Sequence, residues 1–147
     1  MKTVLLFLFL FAVQTVQAAS VFGKWKTIDD KTGQPKSIVE IAADGEGLNG
    51  TILELINPKF PDAKCDKCEG ERKDQPVKGM RILSGFKASD GGRRWDGGEV
   101  LDPNSGKVYR CKLKLSEDGS RLEVRGFIGI SLMGRTQTWE RVADQPK

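Results

Sequence analysis

Histidine is absent from the 147-residue sequence, and cysteine is scarce, with three residues in all. Without histidine, the protein has no imidazole for general acid or base catalysis or for metal binding. A structural zinc site uses four ligands, and three cysteines without histidine leave the fourth missing. We therefore predict a protein without a metal or other cofactor, while carboxylate chemistry stays open.

A strong excess of one charge is also lacking. The sequence has 24 Lys and Arg against 20 Asp and Glu, with both signs interspersed along the chain. A nucleic-acid binder usually concentrates its basic residues on one face, with aromatic residues between them. We therefore predict no nucleic-acid partner, and the mild positive charge mainly favours solubility.

An unbroken apolar run of ten residues, Val4–Val13, follows Lys2 near the N terminus, and the small-residue site Val16–Ala18 comes next. These features are typical of a cleaved signal peptide. The run is too short to cross a bilayer of roughly 30 Å as a helix, and no cysteine follows it to carry a lipid. We expect cleavage after Ala18, or after Ala19 as second choice, with a retained N-terminal anchor as the alternative. The mature protein is then periplasmic or secreted, without stable membrane insertion.

Removal of residues 1–18 leaves residues 19–147, which is 129 residues. One lysine is lost with the signal peptide, so 23 basic residues stand against 20 acidic ones, a formal charge of +3. A chain of this length forms one domain with its own hydrophobic core.

The mature chain is a series of short alternating runs separated by turn residues, which is typical of an all-β fold. Eight strands are predicted, over residues 21–27, 36–42, 48–56, 80–88, 94–102, 107–115 and 121–128 and in a closing strand that ends at Arg141. A closed antiparallel up-and-down barrel removes exposed sheet edges, and eight strands either fill with side chains or hold one small ligand. This barrel is the first predicted architecture, and a β-sandwich is the alternative.

Two strands show which side chains face the core. Lys107–Leu115 alternates strictly, with Tyr109 and Cys111 on the inner face. Residues 80–88 place Met80, Ile82 and Phe86 on one face.

A long irregular segment, residues 57–79, contains the Cys65–Cys68 pair. In an exported protein such a pair is expected to form a disulfide, although its short loop contributes little stability. A redox-active pair is the alternative, but it needs a helix start in a βαβ context, which is not visible here. Cys111 is expected to be a buried free thiol, or to bridge to Cys65 or Cys68 if the long loop folds across the barrel mouth.

The chain ends in an alternating strand that we expect to close the barrel. Trp139 and Arg141 lie on this strand, and the partner at the other end of the chain is the short run Gly23–Trp25. Gly23, Trp25 and Arg141 are therefore the predicted closure residues.

The same strand presents a polar face that has two interpretations. By period two, Arg135, Gln137 and Trp139 point the same way as Arg141. In the first interpretation they grip an anionic or amphipathic small molecule, and aromatic walls come from Trp25, Trp95 and Tyr109. In the second, favoured because aromatic residues in all-β domains are more often core, Arg141 caps Trp25 and Arg135 simply lies at a rim.

Catalytic residues are hard to find. The candidate carboxylates are Asp29, Asp30, Asp96, Glu99 and Asp102. Most of them lie in turns or beside glycine, where Asp usually accepts hydrogen bonds from its own backbone. Ser131 lacks the strand–turn–helix setting and the base partner of a nucleophile elbow. We therefore predict no enzymatic activity.

Several short motifs together carry a family resemblance. They are Gly23–Thr27, Cys65–Cys68, Trp95–Gly98, Leu101–Lys107, Tyr109–Leu113 and Arg125–Arg141. In these motifs the chain resembles, over nearly all of its mature length, the bacterial family catalogued as domain of unknown function 2147. The resemblance implies a small exported protein, and the family name assigns no activity.

A second resemblance, to the calycin group of lipocalins, fatty-acid-binding proteins and avidins, rests on Gly23, Trp25 and Arg141. In lipocalins the matching Trp plugs the closed end of the barrel and the matching Arg packs over it. The chain departs from lipocalins because no Thr-Asp-Tyr motif lies between these residues. The resemblance implies a barrel that binds a small molecule.

Two functions stay open. The first is an exported binder of a small amphipathic or anionic ligand, and the second is an envelope structural or protein-interaction module with a filled barrel and an unidentified protein partner. A cavity of several hundred cubic ångströms would favour the first. A filled core with an exposed apolar loop would favour the second.

Overall fold

The alternating runs form nine β-strands in the part of the chain that the computed structural model describes, residues 19–56, 59 and 61–143. The strands are β1 Gly23–Ile28, β2 Pro35–Asp44, β3 Gly47–Leu55, β4 Arg81–Ser84, β5 Lys87–Ser89, β6 Arg94–Asp102, β7 Lys107–Leu115, β8 Arg121–Phe127 and β9 Gly134–Arg141. Single 3-10 turns occur at Gly70–Arg72, Asp90–Gly92 and Ser131–Met133. The predicted signal peptide, residues 1–18, lies outside the described residues. Within the described ranges, no helix has the length and apolar character needed to cross a membrane.

The strands form one closed antiparallel sheet. Its order is β4-β3-β2-β1-β9-β8-β7-β6-β5, and β4 also pairs with β6, which closes the barrel. Both β4 and β5 pair with β6, so they are two halves of one interrupted strand. The barrel therefore has eight strand positions, as predicted, and the closed architecture is confirmed over the sandwich.

The interruption between β4 and β5 places a large aromatic side chain inside the barrel. Gly85 has φ +78°, a backbone conformation that favours glycine. The Phe86 ring then packs against Gly98 so closely that a Cβ on Gly98 would lie 2.4 Å from it. Leu83 is also buried, which strict alternation did not predict. Its space comes from Gly50, where a bulge shifts the β3–β4 register.

Hairpin connections alternate between the two ends of the barrel. We call one end the mouth, and it carries the connections 29–34, 103–106 and 128–133 and the described residues of the β3–β4 connection. The other is the closed end, where the described chain starts and finishes. Side chains fill the closed half, and the largest fully buried ones there are Trp25, Ile41, Leu48, Phe86, Leu113, Leu115 and Leu122.

Candidate functional site

The mouth half of the barrel encloses a cavity of about 310 Å³. Most of its wall is apolar and comes from inward-facing strand residues and from the long β3–β4 connection; these side chains are Ile52, Leu55, Val77, Ile82, Val100, Leu101, Val124 and Trp139. Polar groups lie among them or at the opening, and they are Thr27, Lys36, Ser37, Asp102, Asn104, Tyr109, Arg135 and Gln137. The cavity thus combines an apolar interior with a polar rim.

Along β9, the side chains that line the cavity change from charged at the mouth to aromatic in the core. Arg135 lies near the mouth, Gln137 is half-buried and Trp139 is buried in the core. The Trp139 indole Nε1 donates a hydrogen bond of 3.2 Å to the Gln137 Oε1. At about 3.3 Å per residue, the step from Arg135 to Trp139 covers about 13 Å. A ligand along β9 would therefore meet a cation, then an amide, then an indole.

A buried hydroxyl pair lies in the wall between β1 and β2. Thr27 Oγ1 and Ser37 Oγ share a hydrogen bond of 2.8 Å, and the Ser37 backbone N–H donates to Thr27 Oγ1 at 3.1 Å. Because each hydroxyl has a partner, this polar spot can be buried without the cost of an unsatisfied group.

Two cations at the rim are paired with carboxylates of the β1–β2 connection. Arg135 forms an ion pair with Asp30, and Lys36 Nζ lies 3.6 Å from Asp29 Oδ2. The pKa of Asp29 is lowered, first by the backbone N–H of Thr32 and then by that of Lys31. The rim therefore offers guanidinium and ammonium groups that an anionic ligand can share with existing partners.

The disulfide loop packs against the β6–β7 turn at the mouth. Cys65 and Cys68 form the predicted disulfide, with a Cα–Cα distance of 5.3 Å, so that prediction is confirmed. A Cβ on Gly106 would lie 2.0 Å from the Lys67 carbonyl oxygen. The Cys65 sulfur lies 3.3 Å from the Pro103 carbonyl oxygen, and this is a packing contact because a disulfide sulfur has no proton to donate.

Asp102 stabilises the β6–β7 turn through hydrogen bonds within the turn. Its carboxylate accepts hydrogen bonds from the Asn104 backbone N–H at 3.0 Å and from the Ser105 hydroxyl at 2.7 Å. This is the local backbone bonding expected of a turn aspartate. Asp102 is thus engaged in shaping the rim.

Arg141 and Trp25 meet at the closed end. The Trp25 indole Nε1 donates to the Val21 carbonyl at 2.8 Å, and the Arg141 Cζ lies 4.2 Å from the Trp25 ring centroid. The Gly23 side of this contact is tight, since a Cβ there would lie 3.2 Å from an Arg141 terminal nitrogen.

Trp95 also belongs to the closed end. Its ring makes an edge-to-face contact with Phe22 at 5.7 Å, and its Nε1 donates to the Gly92 carbonyl at 2.9 Å. Of the six side chains proposed from sequence as ligand contacts, the cavity brings four together, Tyr109, Arg135, Gln137 and Trp139. Trp25 and Trp95 lie elsewhere.

Sequence reasoning did not single out several lining residues. Ile52, Val100 and Val124 could have been predicted to line the cavity, because each is an apolar position in a strand. Val77 lies in the irregular connection, where no periodicity marks an inward side chain.

Cys111 is a buried free thiol near the middle of β7. Burial raises the pKa of this thiol to about 12. The long loop does fold against the mouth, but it brings Cys65 and Cys68 to the β6–β7 turn and leaves Cys111 unbridged.

A closed antiparallel barrel of eight strand positions, with a Trp–Arg closure at one end and a cavity at the other, defines a lipocalin-like barrel fold. A family model described as an uncharacterized protein conserved in bacteria, DUF2147, matches residues 23–141. The chain belongs to this family, as the motifs predicted.

The fold is similar to that of protein HP1028 from the human pathogen Helicobacter pylori, which is described as belonging to the lipocalin family. The TM-score is 0.75 at 20% sequence identity, over 86% of this chain and 85% of that one. At this identity the likeness shows the fold alone. A comparison with curated proteins finds no match.

Proposed function

We propose that the protein is exported to the periplasm or the exterior and there binds one small amphipathic molecule inside the barrel. The observation that carries this proposal is the cavity of about 310 Å³ with an apolar wall and a polar rim. Ligand sites in proteins are mostly apolar clefts with a few placed polar groups. The N-terminal pattern of Lys2 and Val4–Val13 supports export.

The distribution of charge supports one orientation for the ligand. The apolar part would lie against Trp139 and Val124, and the anionic or polar group would lie at the mouth near Arg135 and Lys36. Guanidinium groups bind carboxylates and phosphates with paired, charge-assisted hydrogen bonds.

The cavity volume limits the size of the ligand. About 310 Å³ is at the lower end of the range of roughly 300–1,000 Å³ for ligand pockets. The proposal is therefore a medium-chain or compact amphiphile, because a large lipid would exceed this space.

The alternative, an envelope or protein-interaction module with a filled barrel, fits only part of the molecule. The closed half is filled, and the connection 128–133 exposes apolar side chains, as that function requires. The mouth half is hollow, however, and a filled barrel has no use for a polar rim around an apolar cavity.

Gly126 permits a sharp test, because it lines the cavity on β8. A Cβ there would meet Tyr109 and Val100 at 3.5 and 3.6 Å, which are ordinary contact distances. Gly126→Ala should therefore fold and bind normally, whereas Gly126→Leu should fill the cavity. Calorimetric titration with medium-chain fatty acids and the matching alcohols should show binding to wild type and Gly126→Ala but not to Gly126→Leu.

The rim is tested separately with Arg135→Gln. Loss of one charge-assisted contact should weaken fatty-acid binding about ten-fold while leaving the alcohols unchanged. Arg121→Gln, the same change on the outer wall near the closed end, is the matched control. Equal affinity of wild type and Gly126→Leu for these ligands would overturn the proposal.

A further inference from the structure

The connection between β8 and β9 exposes a group of large apolar side chains at the mouth. Ile128, Ile130, Leu132 and Met133 are between 63% and 86% exposed. We call residues 128–133 the apolar tip. Such an exposed apolar group beside polar residues marks an interaction site in soluble proteins.

The chain holds the apolar tip in place with local contacts. The Arg125 guanidinium donates to the Thr136 hydroxyl at 2.9 Å and to the Leu132 carbonyl at 3.5 Å. Gly134 packs so closely that a Cβ there would lie 2.8 Å from the Gly126 carbonyl oxygen. These contacts therefore hold the turn in place, and they leave its apolar side chains exposed.

Cationic side chains cover the outer wall directly behind the tip. Phe127 faces outward by the alternation of β8, yet it is buried because Arg110 and Lys112 lie over its ring, 5.6 and 5.8 Å from its centroid. Arg125 on β8 lies directly opposite Lys112 on β7 in the strand register. Two carboxylates share this outer wall: Glu99 lies opposite Arg110 on β6, and Glu123 lies two residues before Arg125 on β8.

The charge of the segment points to one kind of partner. Residues 124–139 contain Arg125 and Arg135 and no Asp or Glu. Aliphatic side chains beside cations match a lipid surface, where the apolar groups enter the headgroup boundary and the cations meet anionic headgroups.

We propose that the apolar tip, together with Arg110, Lys112 and Arg125, docks the mouth of the barrel onto an anionic lipid surface. The cavity opening then faces the lipid layer. This docking surface lies outside the cavity and does not depend on which ligand the cavity takes.

The test is co-sedimentation with lipid vesicles. Wild type should bind vesicles of phosphatidylcholine mixed with phosphatidylglycerol, bind pure phosphatidylcholine vesicles weakly, and be released by added salt because the headgroup attraction is screened. The double substitution L132S with M133S should reduce binding about ten-fold or more, because two apolar side chains no longer enter the boundary. Both side chains are exposed, so the unfolding temperature should not change.

Charge is tested by Arg110→Gln combined with Lys112→Gln. This variant should lose about ten-fold in binding to the mixed vesicles and little in binding to phosphatidylcholine alone. The matched control combines Lys24→Gln with Lys87→Gln, which removes the same charge at the closed end and should bind like wild type.

Three results would overturn the proposal. The first is that wild type binds no vesicles and its tip crosslinks to an envelope protein, which would make the tip a protein-docking site instead. The second is that the L132S and M133S variant binds vesicles as well as wild type. The third is a wild-type dimer in sedimentation velocity that the same variant loses, because the tip would then be an interface between two copies.

Discussion

The Arg141 guanidinium lies 4.2 Å over the ring of Trp25, joining the end of the last strand to the start of the first. Its Nε donates to the Gly119 carbonyl at 2.6 Å, and its terminal nitrogens donate to the carbonyls of Phe22 and Ser20. One side chain thus connects β9, the β7–β8 turn, the N-terminal segment and the indole that fills the closed end.

Replacing Arg141 with Ala should destabilise the fold by about 2–4 kcal/mol, because charge-assisted hydrogen bonds and a cation–π contact are lost together. Arg141→Lys should recover little, because an ammonium group cannot form the same planar set of bonds. Urea unfolding measures the effect, with Arg121→Ala as the control. A loss equal to that of the control would show that the closure contact adds no stability.

Gly106 should tolerate substitution much less well than Gly33. Both have φ +69°, so an Ala at either position pays about 1–2 kcal/mol for the left-handed backbone. At Gly33 nothing lies within 4 Å of the added Cβ, whereas at Gly106 it would overlap the Lys67 carbonyl oxygen. The difference between Gly106→Ala and Gly33→Ala in urea unfolding therefore reports the packing of the disulfide loop on the mouth. Equal losses would mean that the loop moves away without cost.

The number of cysteines that react with iodoacetamide should depend on whether the protein is unfolded and reduced. In the folded, unreduced protein none should react, because Cys65 and Cys68 are bridged and burial raises the pKa of Cys111 to about 12. Unfolding without reduction should expose one thiol, and unfolding with reduction should expose three. Intact-mass measurement counts the labels. One label on the folded protein would contradict the burial of Cys111.

Asp118 should make the stability fall at low pH. Its carboxylate accepts hydrogen bonds from the Ser116 hydroxyl at 2.6 Å and the Ser120 backbone N–H at 3.0 Å. These bonds, that of Ser116 first, lower its pKa from 3.8 to about 2. Because the folded-state pKa is the lower one, the stabilisation is present above pH 3.8 and is lost as the pH falls towards 2.

Asp118→Asn should flatten this acid loss, and the neighbouring change Glu117→Gln is the control. Thermal unfolding followed from pH 5 to 2 measures it. If Asp118→Asn and wild type lose the same stability over this range, the turn carboxylate is not the cause.

The strand pattern predicted much of the fold, because period two marks which side chains face inward. Tyr109 and Cys111 lie on the inner face of β7, as expected, and the expectation of export led to the prediction of the Cys65–Cys68 disulfide, which the structure contains. The same pattern could not predict which end of the barrel an inward residue reaches. Trp25 and Trp139 both point inward, yet only Trp139 lines the cavity.

The sequence could not predict the cavity in the mouth half of the barrel, for a different reason. The division between filled and open halves depends on a few close contacts, such as the Phe86 ring lying on Gly98 after the break at Gly85. Val77 reaches the cavity from the long β3–β4 connection, outside the strands. Such contacts come from tertiary packing, which no local period encodes.

Native mass spectrometry of the protein isolated without reduction from the cells that produce it tests the binding proposal most directly. We expect a one-to-one complex with a small molecule in wild type and Gly126→Ala, and the ligand-free mass in Gly126→Leu. The mass of the bound molecule would name its chemical class. A ligand-free mass for all three proteins, with no change in unfolding temperature on adding fatty acids or other small amphiphiles, would contradict the proposal.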